Sequence, residues 1–236
     1  MIYNEDCISG MPKHFEDKSV SLIVSDPPFG ISETGFHKHY NRNEDKIIGG
    51  YTEAPQDYYN FTKDWMAQCQ RILKDNGSMY VFSGWNNLYD VLKVANDLDL
   101  TTINHIIWHY NFGVYTRKKF VSSHYHILYF KKHPKAKPTF NTNCRFEDTR
   151  IENKSPLYKD LQDVWTINKE FRPKMARNKN KLPEKLVAKM IQYSSNKDDI
   201  VFDPFLGNGT TAVVAKKLER IPAGFEINKE AFQLFV

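Results

Sequence analysis

Apolar residues follow two patterns along this chain, and the two patterns predict two kinds of element. Residues 20–24 form a five-residue run rich in branched side chains, which is typical of a buried strand. Residues 58–73 instead repeat apolar side chains at the spacing of one helix face. Further strands are predicted at residues 200–203 and 222–225, with a helix between them. Because strands alternate with helices at both ends of the chain, the pattern predicts a doubly wound α/β fold around a parallel sheet.

Two stretches lack a regular pattern. Residues 30–56 contain few apolar side chains and several glycines, which is typical of a mobile loop over a binding site. Residues 131–181 consist of short basic and polar pieces and are predicted to form a small, irregular insertion. The other predicted elements are strands at residues 1–4, 78–82, 102–109 and 123–130, and helices at residues 8–15, 87–98, 183–194 and 212–218.

The charge is spread unevenly over the chain. The formal net charge is +5, but residues 101–182 hold 17 Lys and Arg against 6 Asp and Glu, a net of +11. The rest of the chain holds 16 against 22, a net of −6. A basic middle on an otherwise acidic protein indicates a surface that binds a polyanion, although a solvated lysine-rich surface has the same composition.

Other features exclude several classes of protein. No apolar run approaches the roughly 18 residues of a membrane span, and the first residues do not resemble a signal peptide, so we expect a soluble, cytoplasmic protein. Cys7, Cys69 and Cys144 are too few for a disulfide framework and are expected to be reduced. The spaced histidine pairs at residues 37 and 39 and at 124 and 126 have no third ligand nearby, so no metal site is predicted.

A proline-rich turn follows the strand at residues 20–24. Its two prolines cannot continue a strand ladder or start an ordinary helix, so the chain leaves the sheet in a stiff, extended turn. That turn carries one carboxylate and one aromatic ring at the carboxyl end of a strand, where open α/β sheets bind their ligands. Its residues are Asp26, Pro27, Pro28 and Phe29.

A glycine turn near the other end of the chain forms a second candidate site. Gly207 and Gly209 allow positive φ angles and a close approach of a ligand, and Glu226 ends the next strand about twenty residues later. An acid in that position can accept both hydroxyls of a ribose, which predicts a nucleoside-containing cofactor. The turn lacks the third glycine of a dinucleotide fingerprint, and no Gly-Lys-Ser/Thr is present for a triphosphate. Such turns also occur as plain connectors between elements.

Taken together, the two motifs resemble the signatures of the S-adenosylmethionine-dependent amino-group DNA methyltransferases. The catalytic motif precedes the cofactor motif, as in the β subclass of that family. The resemblance implies a Rossmann-like methyltransferase sheet with circularly permuted motif order, and S-adenosyl-L-methionine as the cofactor. It also implies a catalytic and cofactor-binding domain (residues 1–130 and 182–236), a target-recognition insertion (residues 131–181) and a mobile active-site loop (residues 30–56).

The resemblance further assigns roles to individual residues. The catalytic group is Asp26, Pro27, Pro28 and Phe29. The cofactor group is Asp6, Cys7, Asp203, Pro204, Phe205, Gly207, Asn208, Gly209, Thr210, Thr211, Glu226 and Ile227. Within it, Glu226 is expected on the ribose and Asp6 on the adenine amino group, although Asp6 also suits a helix cap. Basic and aromatic residues suited to phosphate contact and base stacking are expected to bind DNA, namely Arg117, Lys118, Lys119, Tyr115, His37, Lys38 and Arg42.

The target is less sharply defined than the reaction. Asp as the first residue of the catalytic motif favours the N6 of adenine over the N4 of cytosine, by resemblance. Methylation of a cytosine carbon is excluded because no cysteine stands in the Pro-Cys pair which that chemistry requires. An RNA methyltransferase and a catalytically silent DNA-binding relative remain alternatives. The expected partner is double-stranded DNA, with a homodimer and a cognate restriction endonuclease left open.

Overall fold

The computed structural model of this protein describes residues 1–29, 54–111, 117–142, 144, 159–168 and 181–233. The loop predicted at residues 30–56 lies outside the described residues, except for its last three positions.

Eight strands and six α-helices make up the described part of the chain. The strands are β1 (Ile2–Tyr3), β2 (Val20–Ser25), β3 (Leu73–Ser83), β4 (Thr101–His109), β5 (His124–Lys131), β6 (Val164–Thr166), β7 (Ile200–Asp203) and β8 (Ile221–Phe225). The helices are α1 (Cys7–His14), α2 (Tyr58–Ile72), α3 (Leu88–Asp97), α4 (Glu184–Ser194), α5 (Thr210–Lys217) and α6 (Lys229–Phe232). One turn of 3-10 helix covers Lys159–Leu161.

All eight strands belong to one sheet, in the order β1-β8-β7-β2-β3-β5-β4-β6. The neighbours from β1 to β3 are parallel, as are β4 and β6, whereas β5 is antiparallel to both β3 and β4. The doubly wound, Rossmann-like fold expected from the sequence is therefore confirmed, with one reversed strand. β5 is reversed because the chain returns directly from β4 by a loop, without the crossover that a parallel neighbour needs.

The core has two parts, one on each face of the sheet. On one face α1, α2 and α3 pack against the sheet, and on the other face α4 and α5 do. In β2, Ile23 points into the first part and Leu22 and Val24 into the second, and all three are fully buried. Burial on both faces explains why this strand is apolar throughout, as central parallel strands are.

Two elements differ from the sequence expectations. β3 starts at Leu73, directly after α2, whereas the sequence predicted this strand only from residue 78. The pairing of β3 with β2 shifts register between Val20 and Leu22, so the extra residues are accommodated as an irregularity in the ladder.

β6 lies within the segment predicted as an irregular insertion, yet it pairs with β4 at the edge of the sheet. Trp165 is the buried residue of this three-residue strand. The described part of residues 131–181 therefore contributes a strand to the central sheet, while the target-recognition role given to this segment stays a prediction. Among the described residues, no helix is long and apolar enough to span a bilayer.

Candidate active site

The carboxyl ends of three adjacent strands bring three acidic residues to one edge of the sheet. Asp26 follows β2, Asp203 ends β7, and Glu226 follows β8. β7 pairs with β2 on one side and with β8 on the other, so the two motifs predicted near opposite ends of the chain lie side by side. This edge is where open α/β sheets bind ligands.

Two residues from other parts of the chain, Asn87 and Tyr125, hold the proline-rich turn in place. Asn87, which precedes α3, donates from Nδ2 to the carbonyl oxygen of Phe29 at 2.8 Å. Tyr125 of β5 stacks on the Phe29 ring, with centroids 5.9 Å apart and an interplanar angle of 26°. Because Pro27 and Pro28 lack N–H groups, such contacts take the place of backbone bonds that the turn cannot make. Asp26 itself is half-buried.

Asp203 is almost fully buried beneath the glycine turn. Its Oδ1 accepts a hydrogen bond from the Phe205 N–H (2.9 Å), and its Oδ2 accepts one from the Thr211 hydroxyl (2.7 Å). Burial raises the pKa of Asp203 to about 7, and the nearby acids Asp26 and Glu226 add to the rise while the two hydrogen bonds oppose it. Asp203 therefore ties the start of the turn to α5.

The glycine turn has the backbone geometry that its sequence predicts. Gly207 and Gly209 have φ angles of +51° and +69°. At Gly207 an added Cβ would meet only the Phe205 carbonyl oxygen, at 3.9 Å, so this face of the turn borders open space. The Gly207 N–H donates to Glu226 Oε2 at 2.7 Å, which links the turn to the end of β8.

Glu226 combines burial with spare acceptor capacity. Its Oε2 accepts from Gly207 N–H and its Oε1 from Asn228 N–H, both at 2.7 Å. Burial raises the pKa of Glu226, and the two backbone hydrogen bonds counteract part of that rise. A carboxylate has about four acceptor positions, so two remain after these bonds. Two positions match the two hydroxyls of a ribose.

Other residues expected at the cofactor site lie at the same edge. Asp6 follows β1, beside β8, and its side chain caps α1 by accepting from Ser9 N–H at 2.9 Å. Cys7 is buried in the core, and its burial raises the pKa of the thiol, which is therefore neutral. Ile227, next to Glu226, is 63 % exposed. The remaining members are buried or half-buried in the turn and the first residues of α5, namely Pro204, Phe205, Asn208, Thr210 and Thr211.

The structure describes only part of the expected DNA-binding group. Arg117, Lys118 and Lys119 are exposed on the connection between β4 and β5, which leaves the sheet at the same edge. Tyr115, His37, Lys38 and Arg42 lie outside the described residues. Among the residues that are described, no three His, Cys, Asp or Glu side chains are grouped as metal ligands.

Sequence reasoning did not single out Asn87 or Tyr125 as site residues. Tyr125 stands in a strand that follows the basic loop, and a buried-strand pattern gives no reason to place its ring against Phe29. The sequence offers one indication for Asn87, namely that it follows a strand whose carboxyl end lies at the ligand-binding edge.

Comparison with protein families matches residues 20–236 to the family described as DNA methylase, N6_N4_Mtase. Among curated proteins, the type II methyltransferase M.HpaI of Haemophilus parainfluenzae is 33 % identical over 233 residues, which cover 94 % of this chain and 68 % of that protein.

Two solved structures share the fold over nearly the whole chain. The complex of M1.HpyAVI with SAM has a TM-score of 0.71 at 22 % identity and covers 99 % of this chain and 96 % of that one. The PvuII DNA methyltransferase, named as cytosine-N4-specific, has a TM-score of 0.73 at 16 % identity and covers 100 % of this chain and 86 % of that one. At these identities the likeness concerns the fold.

Proposed function

We propose that this chain methylates the N6 amino group of adenine at a specific site in double-stranded DNA. The chain belongs to the N6_N4_Mtase family of S-adenosylmethionine-dependent amino-group DNA methyltransferases. The observation that carries the proposal is the position of Asp26 directly after β2, which lies beside β7, the strand that leads into the glycine turn. A group held by that turn and a base held at Asp26 would be neighbours.

The residues at this edge fit S-adenosylmethionine. Glu226 has two acceptor positions left for the ribose hydroxyls, and the open face of Gly207 leaves room for a ligand against the turn. The exposed Ile227 side chain offers an apolar surface for the adenine ring, and the second oxygen of Asp6 can accept from the adenine amino group. When bound, the cofactor supplies an electrophilic methyl group on a sulfonium.

The chain's own residues supply the positioning that the amino group requires. An exocyclic amine is a poor nucleophile because its lone pair is delocalised into the ring, and within a duplex it is also hard to reach. Flipping the base out costs a few kcal/mol, and stacking on Phe29 offsets part of this cost. Asp26 and the carbonyl oxygen of Pro27 then each accept a hydrogen bond from one N–H of the amino group. These two hydrogen bonds direct the nitrogen lone pair away from the ring. Positioning and electrostatics thereby supply most of the catalysis.

Adenine is the favoured target because Asp, rather than Ser, opens the catalytic motif, as is more usual for the adenine-type members that the motif resembles. Cytosine N4 is the second candidate, since a protein of the same fold is named as specific for it. Double-stranded DNA is the proposed partner, with the exposed cations after β4 on its phosphates. The likeness to a type II methyltransferase supports a cognate restriction endonuclease as a further partner. A homodimer stays a prediction.

Substitution of Asp26 tests this proposal. Asp26→Ala is expected to abolish transfer of a tritiated methyl group to DNA, while binding of S-adenosylmethionine, measured by calorimetry, largely survives. Asp64→Ala removes an exposed acid from α2 and serves as the matched control, with activity like that of the unmodified protein. Near-normal turnover by Asp26→Ala would refute the scheme. Methylation-sensitive sequencing of DNA from cells that express the protein identifies both the methylated base and the sequence around it.

A further inference from the structure

The connection between β4 and β5, residues 110–123, begins at the ligand-binding edge, and a hydrogen bond closes its base. The Tyr110 N–H donates to the Ser123 carbonyl at 2.9 Å, which continues the ladder one step beyond the two strands. The Asn111 N–H donates to Asn168 Oδ1 at 3.1 Å. We call residues 110–123 the basic loop. The structure describes residues 110–111 and 117–123 of it. These two hydrogen bonds hold the first residues of the loop to its last residue and to the segment that follows β6.

Phe120 in the basic loop is 99 % exposed. A phenylalanine ring left in water gives up the hydrophobic gain that burial of this side chain provides. The three residues before it are Arg117, Lys118 and Lys119, all exposed, so the ring stands beside a run of cations. An exposed ring next to cations is complementary to DNA, in which apolar base faces alternate with phosphates along each strand.

The position of Phe120 along the chain sets its distance from the active site. Tyr125, five residues later, stacks on Phe29 of the catalytic turn. Five residues span at most about 18 Å when fully extended. Phe120 therefore lies within about 18 Å of Tyr125, which is close enough to contact a duplex whose target base has turned into the site.

We propose that Phe120 is a wedge that enters the base stack of duplex DNA where the target base has left it. The inference rests on the proposed function and adds to it the residue that holds the flipped state open. Apolar side chains inserted between base steps are a general means of stabilising unstacked DNA. Arg117 and Lys118 bind the phosphates on either side and so bring the ring to the duplex.

Other exposed aromatic residues fit this role less well. Trp85 lies in the connection after β3 and is 65 % exposed, and Tyr89 lies in the first turn of α3 and is 71 % exposed. The charged residue closest to them in sequence is Asp90, which repels phosphate. Of the aromatic side chains in the described part of the chain, Phe120 is the most exposed, and it also has adjacent cations.

The test compares two duplexes that carry the recognised sequence. One is intact, and in the other the base opposite the target is missing, so that the target is already unpaired and leaves the stack at little cost. Phe120→Ala is expected to lower kcat/KM on the intact duplex by about tenfold or more, and on the second duplex by less than about threefold. Phe120→Trp, which keeps a ring, is expected to retain activity on both.

Two further measurements separate insertion from general DNA binding. With 2-aminopurine at the target position, Phe120→Ala is expected to lose most of the fluorescence rise that accompanies flipping. Its salt dependence of binding should stay unchanged, whereas Arg117→Ala lowers the slope of log K against log salt by about one. Ile221→Ala removes an exposed apolar side chain from the opposite edge of the sheet and is the matched control.

The outcomes distinguish the wedge from the proposed function. If the unmodified protein transfers no methyl group to either duplex, the proposed function is wrong and the wedge with it. If the unmodified protein is active and Phe120→Ala is equally active on the intact duplex, the wedge alone is overturned. An equal loss on both duplexes also overturns it, because a wedge matters only where the target must be taken from its pair.

Discussion

Replacing Asp203 by asparagine should stabilise the protein at alkaline pH, although it removes a residue of the cofactor motif. Asparagine has nearly the same shape as aspartate. Its carbonyl oxygen can accept from the Phe205 N–H, and its amide can donate to the Thr211 oxygen, so both hydrogen bonds of the buried side chain are kept. What the substitution removes is a buried negative charge next to Asp26 and Glu226.

The size of the effect follows from the pKa. The pKa of Asp203 is about 7 in the folded protein, against an ordinary value of 3.8. A carboxyl with a raised pKa takes up a proton on folding, so the free energy of unfolding falls as the pH rises from about 4 to about 7 and is level above that range. At about 1.36 kcal/mol per pKa unit, the raised pKa costs about 2 kcal/mol of stability at pH 5 and about 4 kcal/mol at pH 8.

Urea unfolding at pH 5 and pH 8, without cofactor, measures this cost. The advantage of Asp203→Asn over the unmodified protein is expected to grow by about 2 to 3 kcal/mol between the two pH values. Titrating groups that do not interact with Asp203 are common to both proteins and cancel in the comparison. Asp64→Asn, at an exposed position on α2, should show no such growth. An advantage that is the same at both pH values would mean that Asp203 is ionised throughout, and the argument from burial would be wrong.

Two further substitutions probe the packing around the site. Gly224→Ala places a Cβ 2.1 Å from the Asp203 carbonyl oxygen at a φ of +153°, so urea unfolding should show a loss of about 3 kcal/mol; full stability would contradict the close contact of β7 and β8. Asn87→Ala removes the hydrogen bond to the Phe29 carbonyl and is expected to lower kcat about tenfold, with the affinity for S-adenosylmethionine unchanged. Weakened cofactor binding with normal kcat would show that Asn87 does not position the turn.

The sequence predicted the parts of the fold whose signals are local. β2 could be predicted because burial on both faces makes it apolar throughout. β6 could not, because Trp165 is its one buried residue and the strand is defined by pairing with β4, more than fifty residues away. The start of β3 was missed because its first residues form an irregular ladder, which no period in the sequence marks.

The same division applies to the site. The positions of Gly207 and Glu226 at this edge could be predicted because a glycine in a turn and an acid directly after a strand can be recognised from the sequence alone. Asn87 and Tyr125 reach Phe29 only because of the strand order, which places the end of β3 and the start of β5 at the same edge of the sheet as the end of β2. Asn87 lies 58 residues from Phe29 and Tyr125 lies 96 residues from it, so no local pattern in the sequence marks either contact.

The strand order also explains how one sheet edge can serve two ligands of opposite charge. Four consecutive strands, β1, β8, β7 and β2, lead into acidic residues, which are Asp6, Glu226, Asp203 and Asp26. Burial is the main cause of the raised pKa of Asp203, and the negative charges of Asp26 and Glu226 add to it, so this half of the edge suits a ligand that carries positive charge. The basic loop begins at the other half of this sheet edge, after β4, and its positive charge favours a polyanion there. Asp26 is the acid nearest to the basic half, and a base drawn from bound DNA would therefore meet the cofactor at the boundary between the two.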